Sequence, residues 1–333
     1  MTMVQRATAA GGRIAPIVIP PEHLPSPTGL MNPSVFIDDD GDILVNLRHV
    51  NYTLYHSEYS QKFPSYWGPL AYLHPEKDLR LVTTNYICRL NDKLEVSDYA
   101  QVQMMELHEP IWEFVGLEDA RLVQWNGEYN LIGVRRDTTT NGQGRMEIST
   151  IDLDKKLWTA KEVNRERMPA PGADDSYCEK NWVPILDRPQ SMVKWTLPTE
   201  VVSYAVGEAV STMVDETPWA GKDQRGSSQV VPFGDYYLSV THEVDLFKNY
   251  LGQKDAIYRH RVILWDRATW KLIGASEPFS FLDARIEFCV GAAKYKSGLI
   301  LSFGFQDNAA FILEVPESVV NEIIEEIVNV SAK

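Results

Sequence analysis

The sequence predicts an all-β fold built from repeated hairpins. Short β-branched or aromatic runs recur in pairs, tight polar turns join the members of each pair, and neither a βαβ alternation nor a glycine-rich phosphate loop breaks the pattern. The first pair is Val35-Phe36-Ile37 and Ile43-Leu44-Val45-Asn46-Leu47 about the turn Asp38 to Asp42. The second runs Arg121 to Trp125 and Glu128 to Ile132 about Asn126-Gly127. The third runs Gln229 to Phe233 and Tyr236 to Val240 about Gly234-Asp235, and the fourth Cys289 to Tyr295 and Leu299 to Phe303 about Lys296-Ser297-Gly298. Asn-Gly and Gly-Asp supply the positive φ that hairpin turns demand. Hairpins spaced roughly 40–70 residues apart, with other strands between them, suit propeller blades or a large sandwich.

One helix is expected, at the C-terminus. Pro316 and Ser318 precede Val319, Val320, Ile323, Ile324, Ile327 and Val328 at helical spacing, with Glu322, Glu325 and Glu326 on the other face. That pattern describes an amphipathic helix docked on a β-rich body. Leu197 to Asp223 reads as an irregular insertion that leads into a polar stretch with Pro218, Gly221 and Gly226, as an active-site loop would.

Composition narrows the function classes. The 333 residues are 44% hydrophobic and 23% charged, which allows a large core and excludes a disordered chain. A formal net charge of −14 repels phosphate backbones and anionic lipids at long range, so nucleic acid and membrane surfaces are poor partners. Cys88, Cys178 and Cys289 are too few and too scattered for a disulfide framework, and no Cys/His spacing suits zinc. With no signal segment and no apolar run near the ~18 residues of a membrane span, a cytoplasmic protein is expected. The oligomeric state is not legible.

Four clusters carry candidate chemistry. Gly116-Leu117-Glu118-Asp119-Ala120-Arg121 places two acids and an arginine before an apolar strand. Strand alternation puts Asp119 and Arg121 on one face and Glu118 on the other, and the same residues would also serve as a structural ion pair. Cys178-Glu179-Lys180-Asn181-Trp182-Val183-Pro184 combines acid, base, amide and indole. Trp182 would stack on a sugar face or staple a loop, and Lys180 would neutralise an anion. Thr241-His242-Glu243 sits at a strand end, where a structural histidine is the common occurrence. Arg135, Arg136 and Arg145 flank a turn-rich stretch and form either a solvated surface or an anion cradle.

In this order the clusters resemble glycoside hydrolase family 130, the inverting β-mannoside phosphorylases and hydrolases. Met31-Asn32-Pro33 with the hairpin ending at Leu47-Arg48 is similar to the family's opening element, and Gly116 to Arg121 to its Glu-Asp-Pro-Arg element. Asn126 to Tyr129, Lys180-Asn181 with Pro184, Tyr236 to His242, and Ile286-Glu287-Phe288 with Ser302 to Asp307 follow suit, so the resemblance spans roughly residues 30–315. Ala120 replaces the family's proline, His49 follows Arg48 where the family has alanine, and Glu243 follows His242 where it has glycine. These departures mark a divergent branch.

The resemblance implies a five-bladed β-propeller over residues 30–315, an extension over 1–29 and the helix over 316–333, with the site in a central channel. It implies Asp119 as general acid, Glu243 as a carboxylate able to activate water beside Glu179 and Asp307, and Arg48, Arg145, Lys180 and His242 around phosphate. Trp182 and Asp307 would contact sugar, and Asn32, Glu118, Arg121, Arg136, Glu179, Asn181 and Glu287 complete the expected binding set. The implied partners are a carbohydrate and phosphate or an activated sugar, with no further cofactor and no metal. Related propellers are inverting glycosyltransferases that use a sugar phosphate or nucleotide sugar, which is the second reading. A propeller that binds glycans or proteins without catalysis is the third.

Overall fold

Each hairpin read from the sequence forms. Leu30–Ile37 pairs with Ile43–Val50, Glu118–Trp125 with Glu128–Arg135, Val231–Phe233 with Tyr236–Lys248, and Glu287–Tyr295 with Gly298–Phe305. Their turns have the required backbone: φ is 54° at Asn126, 84° at Gly127 and 59° at Gly234. The computed structural model describes residues 1–26, 29–56, 70–73, 80–137, 139, 142–170, 179–205, 207–219, 221–248 and 254–331. Over these the fold is all-β apart from two α-helices and one short 3-10 turn.

The hairpins extend outward into antiparallel sets of four. Leu30–Ile37, Ile43–Val50, Leu81–Leu90 and Val96–Gln103 form one, and Glu118–Trp125, Glu128–Arg135, Arg145–Asp154 and Thr159–Met168 another. The two join at their outer edges, where Val102 and Gln103 run parallel to Ala160 and Lys161. A third set is Val183–Pro184, Ser191–Trp195, Thr199–Ala205 and Glu208–Asp215. In the fourth, Arg225–Gly226 and Val231–Phe233 pair with Tyr236–Lys248, followed by Lys254–Asp266 and Leu272–Ala275. The last runs Glu287–Tyr295, Gly298–Phe305 and Ala309–Val315, and Ile14–Pro16 from the start of the chain completes its edge.

The third set corrects one expectation. Most of Leu197 to Asp223 is a hairpin, Thr199–Ala205 against Glu208–Asp215, turning at Gly207 with φ 82°. Val201, Val202 and Tyr204 are buried on it, while Val210 and Val214 stay exposed on its outer strand, which blurs the alternation that would announce a strand.

The first strands of successive sets contact one another around the middle of the molecule. Gln229 fastens them. Its Nε2 donates to Ser34 Oγ (3.0 Å), the Val35 carbonyl (3.0 Å) and the Leu122 carbonyl (2.9 Å), and its Oε1 accepts from the Ala292 amide (2.9 Å).

At the rim, the helix Glu317–Ser331 buries Val319, Val320, Ile323, Ile324 and Ile327, each contributing about 1.5–3 kcal/mol. The helix Met3–Ala9 buries Met3, Val4 and Ala7 in the same core cluster and reaches across with Arg6, 3.1 Å from Glu322 and 2.8 Å from Glu326. Among the described residues, no helix is long and apolar enough to cross a membrane. Cys88 and Cys289 are buried free thiols, and Cys178 lies outside the described residues.

Candidate active site

A cleft of about 340 Å³ opens where segments far apart in sequence meet. The sheets bring Asn32, Arg48, Glu118, Asp119, Arg121, Arg136, Lys180, Asn181, His242 and Asp307 to its wall, all of them residues that the sequence nominates. Asn32, Asp119, Asn181 and Asp307 have φ of 45°, 47°, 65° and 48°. Asn and Asp tolerate this left-handed region best among residues with a Cβ, so the cleft concentrates backbone strain in the residue types that bear it.

Strand alternation does not hold at the acids. Glu118, Asp119 and Arg121 all face the cleft. The pairing slips between Ile132 and Val134, and with Asp119 at positive φ the chain turns Glu118 inward rather than away. Gly133 makes the bulge possible, because a Cβ there would lie 2.6 Å from the Glu118 carbonyl oxygen.

Asp119 is the best-held group. Its Oδ1 accepts from Asn32 Nδ2 (2.8 Å) and Arg48 Nη1 (2.7 Å), while Arg121 Nη1 donates to its backbone carbonyl (2.7 Å). Arg48 in turn donates to Thr83 Oγ1 (3.2 Å) and Tyr52 Oη (3.1 Å), and stands 3.7 Å from Glu118. Arg136 lies 3.6 Å from the other Glu118 oxygen. His242 Nδ1 pairs with Ser227 Oγ at 2.7 Å, and its ring stacks on Tyr258 with centroids 5.6 Å apart.

Charge separates the three carboxyls. Burial would raise Asp119, but the Arg48 and Arg121 guanidiniums and the bonds from Asn32 and Arg48 outweigh it and hold the group below the ordinary range. Burial wins at Glu118, which lies above its ordinary value, and at Asp307, pushed up to about 6 by burial and the nearby Asp119 charge against the pull of Arg48. Burial, His260 and the cations Arg225, Arg121 and Lys180 hold His242 well below its usual range, so it is neutral at neutral pH. Among the described lining residues, Arg48, Arg121, Arg136, Lys180 and Arg225 stand against Glu118, Asp119 and Asp307. The cleft is net positive in a chain of net charge −14.

Six nominated residues lie elsewhere. Glu243 points to the opposite face of the strand from His242, as alternation requires, and accepts from Gln224 Nε2 (2.8 Å) and Arg261 Nε (2.9 Å). The Glu287 carboxylate is consumed by the backbone amides of Phe281, Leu282 and Ala284 at 2.6–3.0 Å. Trp182 is 1% exposed, so its ring fills the core instead of meeting a sugar, and its Nε1 donates to Glu179 Oε2 at 2.7 Å. Glu179 borders a neighbouring hollow instead of this cleft. Arg145 is buried with its Nη1 on the Gly144 carbonyl, and Arg135 is drawn to Glu147 (2.7 Å) and Asp137 (3.6 Å), which leaves Arg136 alone of the expected cradle in the cleft.

Sequence reasoning missed Tyr52, Tyr258, Phe288 and Arg225. Arg225 sits directly opposite His242 in the strand register, a neighbour that only pairing reveals. Asp38, Asp40 and Asp42 have metal-like spacing, and Lys155 Nζ binds all three at 2.5–2.9 Å.

No family model matches the chain, and no curated protein matches it in sequence. Solved structures do. The β-1,2-mannobiose phosphorylase from Listeria innocua is 13% identical at a TM-score of 0.55, over 90% of this chain and 93% of that one. A glycoside hydrolase from Bacteroides ovatus is 13% identical at 0.54, covering 88% of each chain. A third, described among the GH130 glycoside hydrolases that target β-1,2 mannosidic linkages in Candida mannan, is 14% identical at 0.52, over 87% of this chain and 85% of that one. The chain therefore has the propeller fold of these glycosidases and phosphorylases. It resembles GH130 as a divergent member would.

Proposed function

We propose that the cleft is the active site of a carbohydrate-active enzyme, an inverting glycoside phosphorylase or hydrolase of β-mannosides or related short glycosides, with phosphorolysis as its leading form. One observation carries the reading: a net-positive cleft in an acidic protein, with the Asp119 carboxylate held among its cations. We read the sets of four strands as five blades, residues 30–315 as the catalytic body, 1–29 as an extension and 316–333 as the closing helix. The mutual contacts of the innermost strands support that division.

In this reading Lys180, Arg136 and Arg225 receive phosphate, and neutral His242 donates a hydrogen bond without adding charge. Arg48 and Arg121 hold Asp119 ionised at neutral pH, so the proton it delivers has to come from its co-substrate. Phosphate entering as the monoanion passes a proton to Asp119, because the dianion formed beside the carboxylate raises that group's proton affinity. A phosphate oxygen then bonds to the anomeric carbon as the bond to the leaving oxygen breaks. The leaving oxygen takes the Asp119 proton, directly or through a sugar hydroxyl, and the products are a free sugar and an α-sugar 1-phosphate.

The same cations suit a sugar phosphate or a nucleotide sugar, which keeps an inverting glycosyltransferase as the second reading. Incubation with mannose 1-phosphate, and separately with nucleotide sugars, against a panel of acceptor sugars distinguishes the two. Turnover of sugar 1-phosphate alone supports the phosphorylase, and turnover of nucleotide sugar alone replaces it with the transferase.

A further inference from the structure

A second hollow, of about 360 Å³, opens beside the cleft. Lys180, Asn181 and Arg225 line both, so the two share a wall. Glu179 is the anomaly in it. Its backbone amide is fixed by the Gly144 carbonyl at 2.9 Å and its Oε2 by the Trp182 indole, and the residue is 3% exposed. Its Oε1 is nevertheless buried without a hydrogen-bond partner. A buried carboxylate oxygen left in this state is costly and calls for a donor.

The rest of the wall says which donor. Lys180, Asn181 and Arg225 belong to the cleft as well, and Asp223 is largely exposed with Arg225 3.8 Å away. Gln224 is bonded to Thr241, Glu243 and the Lys222 carbonyl, and Lys194 lies 3.2 Å from Glu200. The buried acceptor without a partner is Glu179 Oε1, and it shares the wall with Trp195, a large aromatic side chain that stays 41% exposed. An aromatic face and an acceptor together match a pyranose, which presents C–H groups on one side and hydroxyl donors around its edge.

We infer that this hollow is a second sugar subsite, which holds the non-reacting unit of a short oligosaccharide, with Glu179 Oε1 accepting one of its hydroxyls and Trp195 packing on its face. The inference rests on the reading of the adjoining cleft as a glycoside site, and it makes an oligosaccharide a better ligand than a simple glycoside. Burial also keeps the Glu179 carboxyl above its ordinary range despite the Trp182 bond and the nearby Lys194 and Arg145.

The test is calorimetric titration of the full chain in an Asp119→Asn background, which prevents turnover, with methyl β-mannoside and with β-1,2-mannotriose. The trisaccharide is expected to bind at least about tenfold more tightly. Glu179→Gln and Trp195→Ala should each erase that difference and leave methyl mannoside within about twofold. Trp195 is exposed, so its substitution reports even where Glu179→Gln disturbs folding. Equal affinity for the two sugars, or a difference that survives both substitutions, overturns the subsite alone. Binding of neither sugar overturns the cleft reading and the subsite with it.

Discussion

Arg48 Nη1 and Asp119 Oδ1 lie 2.7 Å apart, and this pair organises the cleft. Arg48 is buried, and burial opposes its charge, but Tyr52, Asp119, Glu118 and Asp307 together keep it protonated. One guanidinium thus faces three carboxyls and favours ionisation of the closest. Asp119 is held below the ordinary carboxylate range, while Glu118 and Asp307 lie above it. Removing the Asp119 charge tests the pair directly. Asp119→Asn should lower kcat by about 10²–10⁴-fold with sugar binding retained. It should also lower thermal stability at neutral pH, because Arg48 loses its closest counter-charge. Unchanged turnover would remove Asp119 from the mechanism.

Asp307 makes stability depend on pH. Its folded value of about 6 lies above the ordinary 3.8, so the native state binds this proton more tightly than the unfolded chain does. The contribution is favourable below pH 4 and is lost as pH rises through 6. Asp307→Asn keeps a residue that tolerates φ 48° and removes the half-buried charge. The variant should be more stable than the parent by on the order of 2 kcal/mol at pH 7.5, and the two should converge near pH 3.5. Urea titrations at both pH values check the sign, and a variant that is less stable at pH 7.5 would contradict it.

Gly304 is spatially obligatory. A Cβ there would stand 2.2 Å from Asn32 Oδ1 and 2.9 Å from the Asn32 amide nitrogen. Gly304→Ala must displace Asn32, which donates to Asp119, at a cost of about 1–3 kcal/mol in overpacking. Both kcat/KM and Tm should fall. Crystals of the variant with the Asn32–Asp119 bond intact would show that the site adapts.

Gln229 is fully buried and its amide joins four backbone or hydroxyl groups around the middle of the fold. Gln229→Ala removes the amide from all four groups, of which Ser34 Oγ keeps the Leu122 backbone amide, and should cost about 3 kcal/mol or more. Chemical denaturation measures it. A loss under 1 kcal/mol, on the order of a surface change, would mean water replaces the amide without penalty.

The hairpins were legible because their turns are chemically explicit: Asn126-Gly127 and Gly234 announce positive φ. Thr199–Ala205 with Glu208–Asp215 was hidden by Pro198, Pro218 and an exposed outer strand. Within the site, residue type was readable and direction was not. Glu118 entered the cleft through a bulge that no spacing rule anticipates. Glu243 and Glu287 have the chemistry of catalytic acids, yet their carboxylates are spent on Gln224 and Arg261 in one case and on three amides in the other. Trp182 shows the same limit, since an indole that could face a sugar is buried in the core instead. Partner choice in three dimensions decides such residues.

The most direct measurement follows β-1,2-mannobiose with the purified protein by NMR, with and without inorganic phosphate. A working cation-lined cleft predicts phosphate-dependent loss of the disaccharide and the appearance of α-mannose 1-phosphate, with neither seen for Asp119→Asn. Disaccharide that stays intact with and without phosphate, while the wild type and Asp119→Asn bind it equally, would contradict catalysis at this cleft.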